Sequence, residues 1–205
     1  MTVSQSTISP PVTQGRELNT HYTASFLSPG AQHDLMAWLE DDSQVLWHVE
    51  RFKLFGKSLR VPRSLCWFGD QGLNYRYTGT DHIANGWPSQ LATVRQQVEA
   101  NVGSAFNYLL INRYQDGAQY MGWHRDDERG ASPLIASLSL GAQRRFKIRP
   151  SYEPSSTHTY DLAGGSLITF DGRNQHMLCK TKRPCAPRIN LTFRQINLDD
   201  CRILG

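Results

Sequence analysis

The sequence predicts an α+β fold in which helices come first, short strands follow, and the strand part closes as a sandwich or jelly roll. Three observations carry this. The two helical spacings fall before residue 105, and most of the strand-like alternation falls after it. Sixteen glycines and ten prolines are spread among five tryptophans, eight tyrosines and eight phenylalanines in 205 residues. Such punctuation suits many short elements joined by turns and excludes long helices and coiled coils.

Taken in order, residues 1–20 are polar, carry Pro10-Pro11 and almost no charge, and are expected to form a flexible arm. They lack the basic and apolar regions of a signal peptide. Ser28-Pro29 begins a helix with Leu35, Met36 and Leu39 at helical spacing, although Glu40-Asp41-Asp42 at its end opposes the helix dipole. Residues 45–55 read as a strand. Pro88-Ser89 starts a second helix, with Leu91, Val94 and Val98 on one face and Gly103 after it. Strands are then expected at 106–114, 134–140, 145–149, 157–162, 166–170 and 188–196. No linker divides the chain, so residues 21–205 are expected to be a single domain, with 21–105 carrying the helices and 106–196 the sheet core.

Composition excludes several classes. Hydrophobic residues at 39% and charged residues at 20% supply a core and argue against disorder throughout. No apolar run approaches a membrane span. Cys66, Cys179, Cys185 and Cys201 form no CxxC pair, which indicates neither a zinc ribbon nor a disulfide framework and suits a reduced, intracellular protein. Twenty-two basic against eighteen acidic residues give a net charge of +4, a lean toward a polyanionic partner.

The first chemical signal is Trp123-His124-Arg125-Asp126. On an extended segment His124 and Asp126 point the same way, so an imidazole and a carboxylate can hold adjacent positions of a metal. A second His would complete a 2-His-1-carboxylate face, which leaves open positions and marks non-haem Fe(II) oxygenases. His158 and His176 are the candidates. His176 is preferred because it lies beyond the Gly164-Gly165 turn and the strand at 166–170, and twelve residues before Arg188. The second signal is the segment Arg188–Arg194 (RINLTFR), which alternates strictly. Arg188, Asn190, Thr192 and Arg194 share one face, and Ile189, Leu191 and Phe193 the other. Guanidinium forks bind carboxylates bidentately, and two of them could hold the two ends of a dicarboxylate. Fe(II) with a dicarboxylate points to 2-oxoglutarate.

At these residues the chain resembles the AlkB family of Fe(II)/2-oxoglutarate-dependent nucleic-acid dealkylases, in particular the branch active on double-stranded DNA. The stretches that carry the likeness are 107–114 (NYLLINRY), 122–128 (GWHRDDE), 135–141 (IASLSLG), Gly165-Ser166-Leu167 and 187–194 (PRINLTFR). It runs from about Phe55 to Ile196, roughly two thirds of the chain. The resemblance implies a double-stranded β-helix (jelly-roll) core with the N-terminal helices packed on it and a nucleotide-recognition lid within 21–105. It implies His124, Asp126 and His176 as iron ligands. Asn112, Tyr114, Asn190 and Thr192 are implied around 2-oxoglutarate, with Arg188 on its distal carboxylate and Arg194 near the chelating end, close to the chemistry.

The same resemblance places Glu128, in the HRDDE run, at the substrate-base pocket. It also makes 72–77 (GLNYRY) a base-holding strand on which Tyr75 and Tyr77 face one way. Such tyrosine pairs are equally often half-buried sheet residues. Arg51, Lys53, Lys57, Arg60 and Arg63 surround Phe55-Gly56 with no acid between them. A basic hairpin with an apolar tip could hold phosphates while Phe55 fills the gap left by an extruded base. Lys180, Lys182 and Arg183 form a second basic stretch. The chain departs from the branch in a shorter 171–175 loop, in Met177-Leu178-Cys179, and in Tyr77 where the branch has Phe.

The implied activity is oxidative dealkylation repair of N-alkylated DNA bases of the 1-methyladenine and 3-methylcytosine type. O2 and 2-oxoglutarate are consumed, and succinate, CO2 and formaldehyde are released. The expected partner is alkylated DNA, duplex as well as single-stranded, with RNA left open, and the protein is expected to be a monomer with no membrane association. The expected compartment is cytoplasmic in a bacterium and nuclear in a eukaryote. The alternatives are an RNA demethylase, another hydroxylase on the same scaffold, or a nucleic-acid-binding jelly roll without catalysis.

Overall fold

The computed structural model describes residues 18–49, 51–54, 57–60, 63–77 and 80–197. The elements in order are β1 (His21–Thr23), α1 (Pro29–Glu40), β2 (Arg51–Leu54), β3 (Lys57–Arg60), β4 (Ser64–Gly69), β5 (Asn74–Tyr77), β6 (Thr80–Ile83) and α2 (Ser89–Val102). They continue with β7 (Tyr108–Tyr114), β8 (Met121–His124), β9 (Leu134–Gly141), β10 (Arg144–Arg149), β11 (His158–Leu162), β12 (Leu167–Asp171), β13 (Gln175–Leu178) and β14 (Arg188–Arg194).

Both helices form where capping signals placed them. The Ser28 hydroxyl accepts from the Ala31 N–H at the start of α1, and Gly103 closes α2 with φ 71°, a left-handed conformation that costs glycine little. The acidic end of α1 has a local explanation. The chain leaves the helix at Asp41, whose Oδ1 accepts from the N–H (2.9 Å) and hydroxyl (2.7 Å) of Ser43. The acid therefore turns the chain instead of facing the helix dipole.

The strand expected at 45–55 is divided: His48 makes an isolated bridge to Leu65, and β2 begins only at Arg51. β2 and β3 pair in antiparallel register from Arg51↔Arg60 to Leu54↔Lys57, so the basic run is a hairpin. Its tip, Phe55-Gly56, lies outside the described residues. The strand expected at 188–196 ends at Arg194, beyond which Ile196 bridges to Ala131.

Six strands form an antiparallel sheet in the order β1-β12-β9-β14-β7-β4, four form a second in the order β11-β10-β13-β8, and β2-β3 and β5-β6 are separate hairpins. Alternation assigns the two faces of the large sheet. Leu109, Ile111, Ala136, Leu138, Leu140, Ile189, Leu191 and Phe193 pack beneath Leu35 and Leu39 of α1 and Leu91, Val94 and Val98 of α2. The opposite face looks toward the four-stranded sheet, where Ile135, Phe146, Ile148, Leu162, Ile168 and Phe170 fill part of the gap. The rest of that gap is polar. Among the described residues no helix is long and apolar enough to cross a membrane.

Phe193 is fully buried between helices and sheet. Phe193→Ala should destabilise the fold by about 3–5 kcal/mol, read as a lower urea midpoint with unchanged slope.

Candidate functional site

His124 is the last residue of β8 and lies directly across from His176 of β13, the two strands pairing in antiparallel register at that point. The imidazole centroids are 4.1 Å apart. Each ring is oriented from behind: His124 Nδ1 meets the Gly122 carbonyl at 2.8 Å, and His176 Nδ1 meets the Asn174 carbonyl at 3.0 Å. A carbonyl only accepts, so both Nδ1 atoms carry a proton, and the Nε2 atoms are the ring nitrogens turned toward Asp126. This is the outer-shell arrangement of metal-binding histidines. Phe146 and Phe170 pack against His176 at centroid distances of 5.8 and 4.9 Å.

Asp126 lies beyond the end of β8, so the extended segment assumed from sequence stops two residues short of it. Its backbone N–H donates to the Gly172 carbonyl at 2.9 Å, which brings it back to the histidines. Gly172 permits this approach, since a Cβ there would stand 2.6 Å from the Asp126 carbonyl oxygen and 2.7 Å from Ile135 Cδ1. Asp126 Oδ1 is 3.7 Å from His124 Nε2, and Oδ2 is 3.6 Å from His176 Nε2. The ligand atoms of the three residues all lie within 4.8 Å of one another. His158, the other candidate, is exposed on β11 and is not in the cluster.

The electrostatics match a cation site. Burial alone would push the Asp126 carboxyl up, but Arg194 and the two histidines outweigh it and hold the group well below the usual carboxylate range. Burial, and then the neighbouring His176, push His124 down to about 4, so it is neutral and able to ligate at pH 7. Asp126 Oδ1 is buried and accepts no hydrogen bond among the described residues, an unmet valence that a cation would satisfy. Two imidazoles and one carboxylate are the donor set of a facial Fe(II) site, and the residues fit that metal.

The second half of the site comes from β14 and its neighbours. Cross-strand register pairs Arg188 with Tyr114, Asn190 with Asn112, and Thr192 with Leu110. Arg188, Asn190, Thr192 and Arg194 line one cleft together with the metal-binding cluster, Asn112, Tyr114 and Ser137. Arg188 is 1% exposed, donates to the Ser139 hydroxyl at 2.9 Å and lies 5.7 Å from the Tyr114 ring centroid. Desolvation pushes it down to about 10. Among the described residues it has no carboxylate partner, and a dicarboxylate would remove the cost of burying it unpaired.

Arg194 differs from the expectation that two guanidinium forks would grip the two ends of a dicarboxylate. Its Nη2 donates to Asp126 Oδ2 at 2.5 Å, and its Nη1 to the Tyr75 hydroxyl at 2.7 Å and Glu128 Oε2 at 3.2 Å. It is tied to acids of its own chain, whereas Arg188 has no acid partner among the described residues. Asn190 is also engaged, donating to the Ser137 hydroxyl at 2.8 Å and the Leu138 carbonyl at 3.0 Å.

Tyr75 is 1% exposed, its ring 4.8 Å from that of Tyr108. Burial, opposed by Arg194 and reinforced by Glu128, pushes its phenol up, so it stays protonated. The structure thus joins Tyr75 to Glu128 through Arg194, one hydrogen bond from Asp126. Tyr77 ends β5, and its side chain, like Phe55, lies outside the described residues.

Sequence reasoning did not foresee the role of Arg63. It belongs to a basic run in the sequence, yet it is 5% exposed, lines the cleft, and donates from Nε to Asn112 Oδ1 at 2.6 Å. Ser137 and Ser139 were also missed, although their alternation within LIASLSLG was a readable sign of small polar residues on the cavity face.

Residues 19–194 match the model of the 2OG-Fe(II) oxygenase superfamily. The chain belongs to that superfamily. It is 40% identical over 164 residues to the DNA oxidative demethylase ALKBH2 of Homo sapiens, covering 73% of this chain and 62% of that protein. It is 37% identical over 153 residues to the alpha-ketoglutarate-dependent dioxygenase alkB homolog 3 of Homo sapiens, covering 67% of this chain and 53% of that one. The chain therefore spans between half and two thirds of the length of these two relatives. The solved structure of OsALKBH1 superposes with a TM-score of 0.64 over 89% of this chain and 99% of that chain, at 15% identity. This likeness concerns the fold and agrees with the jelly-roll core.

If His124 and His176 are metal ligands, replacing either by Ala should weaken Mn(II) uptake by more than the ~10–100-fold typical of outer-shell partners. Calorimetry under anaerobic conditions would measure it, and His158→Ala should leave uptake unchanged.

Proposed function

We propose that this protein removes alkyl groups oxidatively from N-alkylated DNA bases of the 1-methyladenine and 3-methylcytosine type, converting 2-oxoglutarate and O2 to succinate and CO2 and releasing formaldehyde. The observation that carries this reading is the meeting, in one cleft, of a 2-His-1-carboxylate cluster with the buried Arg188 guanidinium, which has no acid partner among the described residues. The substrate class is supported by the likeness to a DNA oxidative demethylase over 73% of the chain.

His124, Asp126 and His176 would hold Fe(II), and Arg188 would take the distal carboxylate of 2-oxoglutarate, assisted by Ser139 and Tyr114. Bound there, the metal and cosubstrate supply the oxidation that hydroxylates the alkyl carbon. The resulting hemiaminal loses formaldehyde, and the ring nitrogen regains its lone pair or proton. The chain's own residues do the rest. Arg194 keeps Asp126 ionised and fixed, so the carboxylate cannot rotate away or take up a proton. Phe146 and Phe170 keep one side of His176 dry, which strengthens the charge interactions in the cleft. Glu128 and Tyr75, both held by Arg194, would meet the polar edge of an extruded base.

The basic hairpin β2-β3 would grip duplex phosphates while Phe55 at its tip fills the gap in the stack. A lesion that already pairs poorly costs less to extrude, and part of the selectivity would come from that.

Methylated oligonucleotides in single-stranded DNA, duplex DNA and RNA should separate the substrate classes. Formaldehyde and succinate are expected in equal amounts with methylated DNA and absent with His124→Ala. Wild-type protein that releases no formaldehyde from any methylated oligonucleotide would overturn the repair reading. Arg188→Ala should raise the 2-oxoglutarate concentration for half-maximal turnover by roughly tenfold or more while DNA affinity changes little. Phe55→Ala should reduce turnover on duplex more than on single strands, and equal losses would remove the wedge role.

A further inference from the structure

Arg63 has an unusual position. It is the residue immediately before β4 and lies just beyond β3 of the basic hairpin, yet its side chain is directed inward. Its Nε donates to Asn112 Oδ1 at 2.6 Å, and both residues are at least nine-tenths buried, at 5% and 8% exposure.

A guanidinium can only donate, so the atom of the Asn112 amide that faces Arg63 must be the oxygen. The amide nitrogen is then turned the other way. Asn112 lines the cleft, and among the described residues its Nδ2 donates to nothing. Its register partner Asn190 has its own amide nitrogen committed to Ser137 and Leu138. Without Arg63 the Asn112 amide is free to flip. One orientation offers an anion two N–H donors, and the other confronts it with a carbonyl oxygen.

We propose that Arg63 is a positioning residue for the cosubstrate: it locks the Asn112 amide with Nδ2 toward the cleft, where it donates to 2-oxoglutarate. This rests on the reading of the cleft as the 2-oxoglutarate site. Because Arg63 stands where the hairpin joins the large sheet, the same contact ties the cosubstrate site to the element that would meet DNA.

The test is a double-mutant cycle on cosubstrate binding rather than turnover, with 2-oxoglutarate titrated calorimetrically into Fe(II)-loaded protein under anaerobic conditions. Arg63→Met and Asn112→Ala should each weaken binding about tenfold, the cost of one hydrogen bond to a charged ligand. The double variant should also lose about tenfold, because both changes remove the same interaction. Arg63→Gln, which keeps a donor at lower cost to folding, should recover part of the loss if Arg63→Met does not fold.

Wild-type affinity in the folded Arg63 variants would overturn the proposal. So would losses that multiply to about a hundredfold, since Arg63 would then act by charge and independently of Asn112. Wild-type protein that takes up Fe(II) but no 2-oxoglutarate would overturn the cosubstrate reading itself.

Discussion

The ion pair between Arg194 and Asp126 is the contact on which the rest of the site depends. Both groups are nearly inaccessible, at 2% and 5% exposure, and a carboxylate buried without a cation would take up a proton and cease to be a ligand. Arg194 prevents this at 2.5 Å. Leaving one partner of such a pair buried alone costs about 3–5 kcal/mol, so the arrangement is strongly coupled to the fold. The same guanidinium reaches Tyr75 on a hairpin outside the two main sheets and Glu128 in the loop after β8. One side chain thus joins the end of β14, the metal-binding loop and the wall expected to face a base.

The large sheet makes this possible by being buried on both faces. Its outer face is apolar and carries the helices, while its inner face is apolar toward β12 and polar along β7 and β14. Polar residues on an inner face are costly unless paired, and the pairing is nearly complete: Asn190 to Ser137, Arg188 to Ser139, Arg63 to Asn112. Among the atoms left over in the described residues are Asp126 Oδ1 and Arg188 Nε, one anionic and one cationic. A metal and a dicarboxylate are complementary to those two remainders.

Legibility in the sequence followed the range of the forces involved. Both helices were readable because capping and 3.6-residue spacing are local, and the RINLTFR alternation was readable because strand pleat is local. The metal ligands were half readable: His124 and Asp126 share a short motif, but the choice between His158 and His176 rests on which strand pairs with β8. Asp126 also reaches the cluster by a loop that Gly172 allows to approach, not by strand alternation. Arg194 was grouped with Arg188 as a second fork because both lie on one face. Only the folded chain shows that acids 66 and 68 residues away in sequence occupy it.

What the sequence determined by itself is the element order, the apolar and polar faces of β14, and the residue types of an Fe(II) and dicarboxylate site. These depend on backbone periodicity and on the donor chemistry of single side chains. Tertiary structure alone decided that His176 and not His158 joins the cluster, that Arg188 is buried in the cleft with no acid partner among the described residues, and that Arg63 turns inward onto Asn112. Each of these depends on which charges become neighbours after burial. Exposed arginines are alike in sequence, and only desolvation together with a specific partner distinguishes one that braces the fold from one left to meet a ligand.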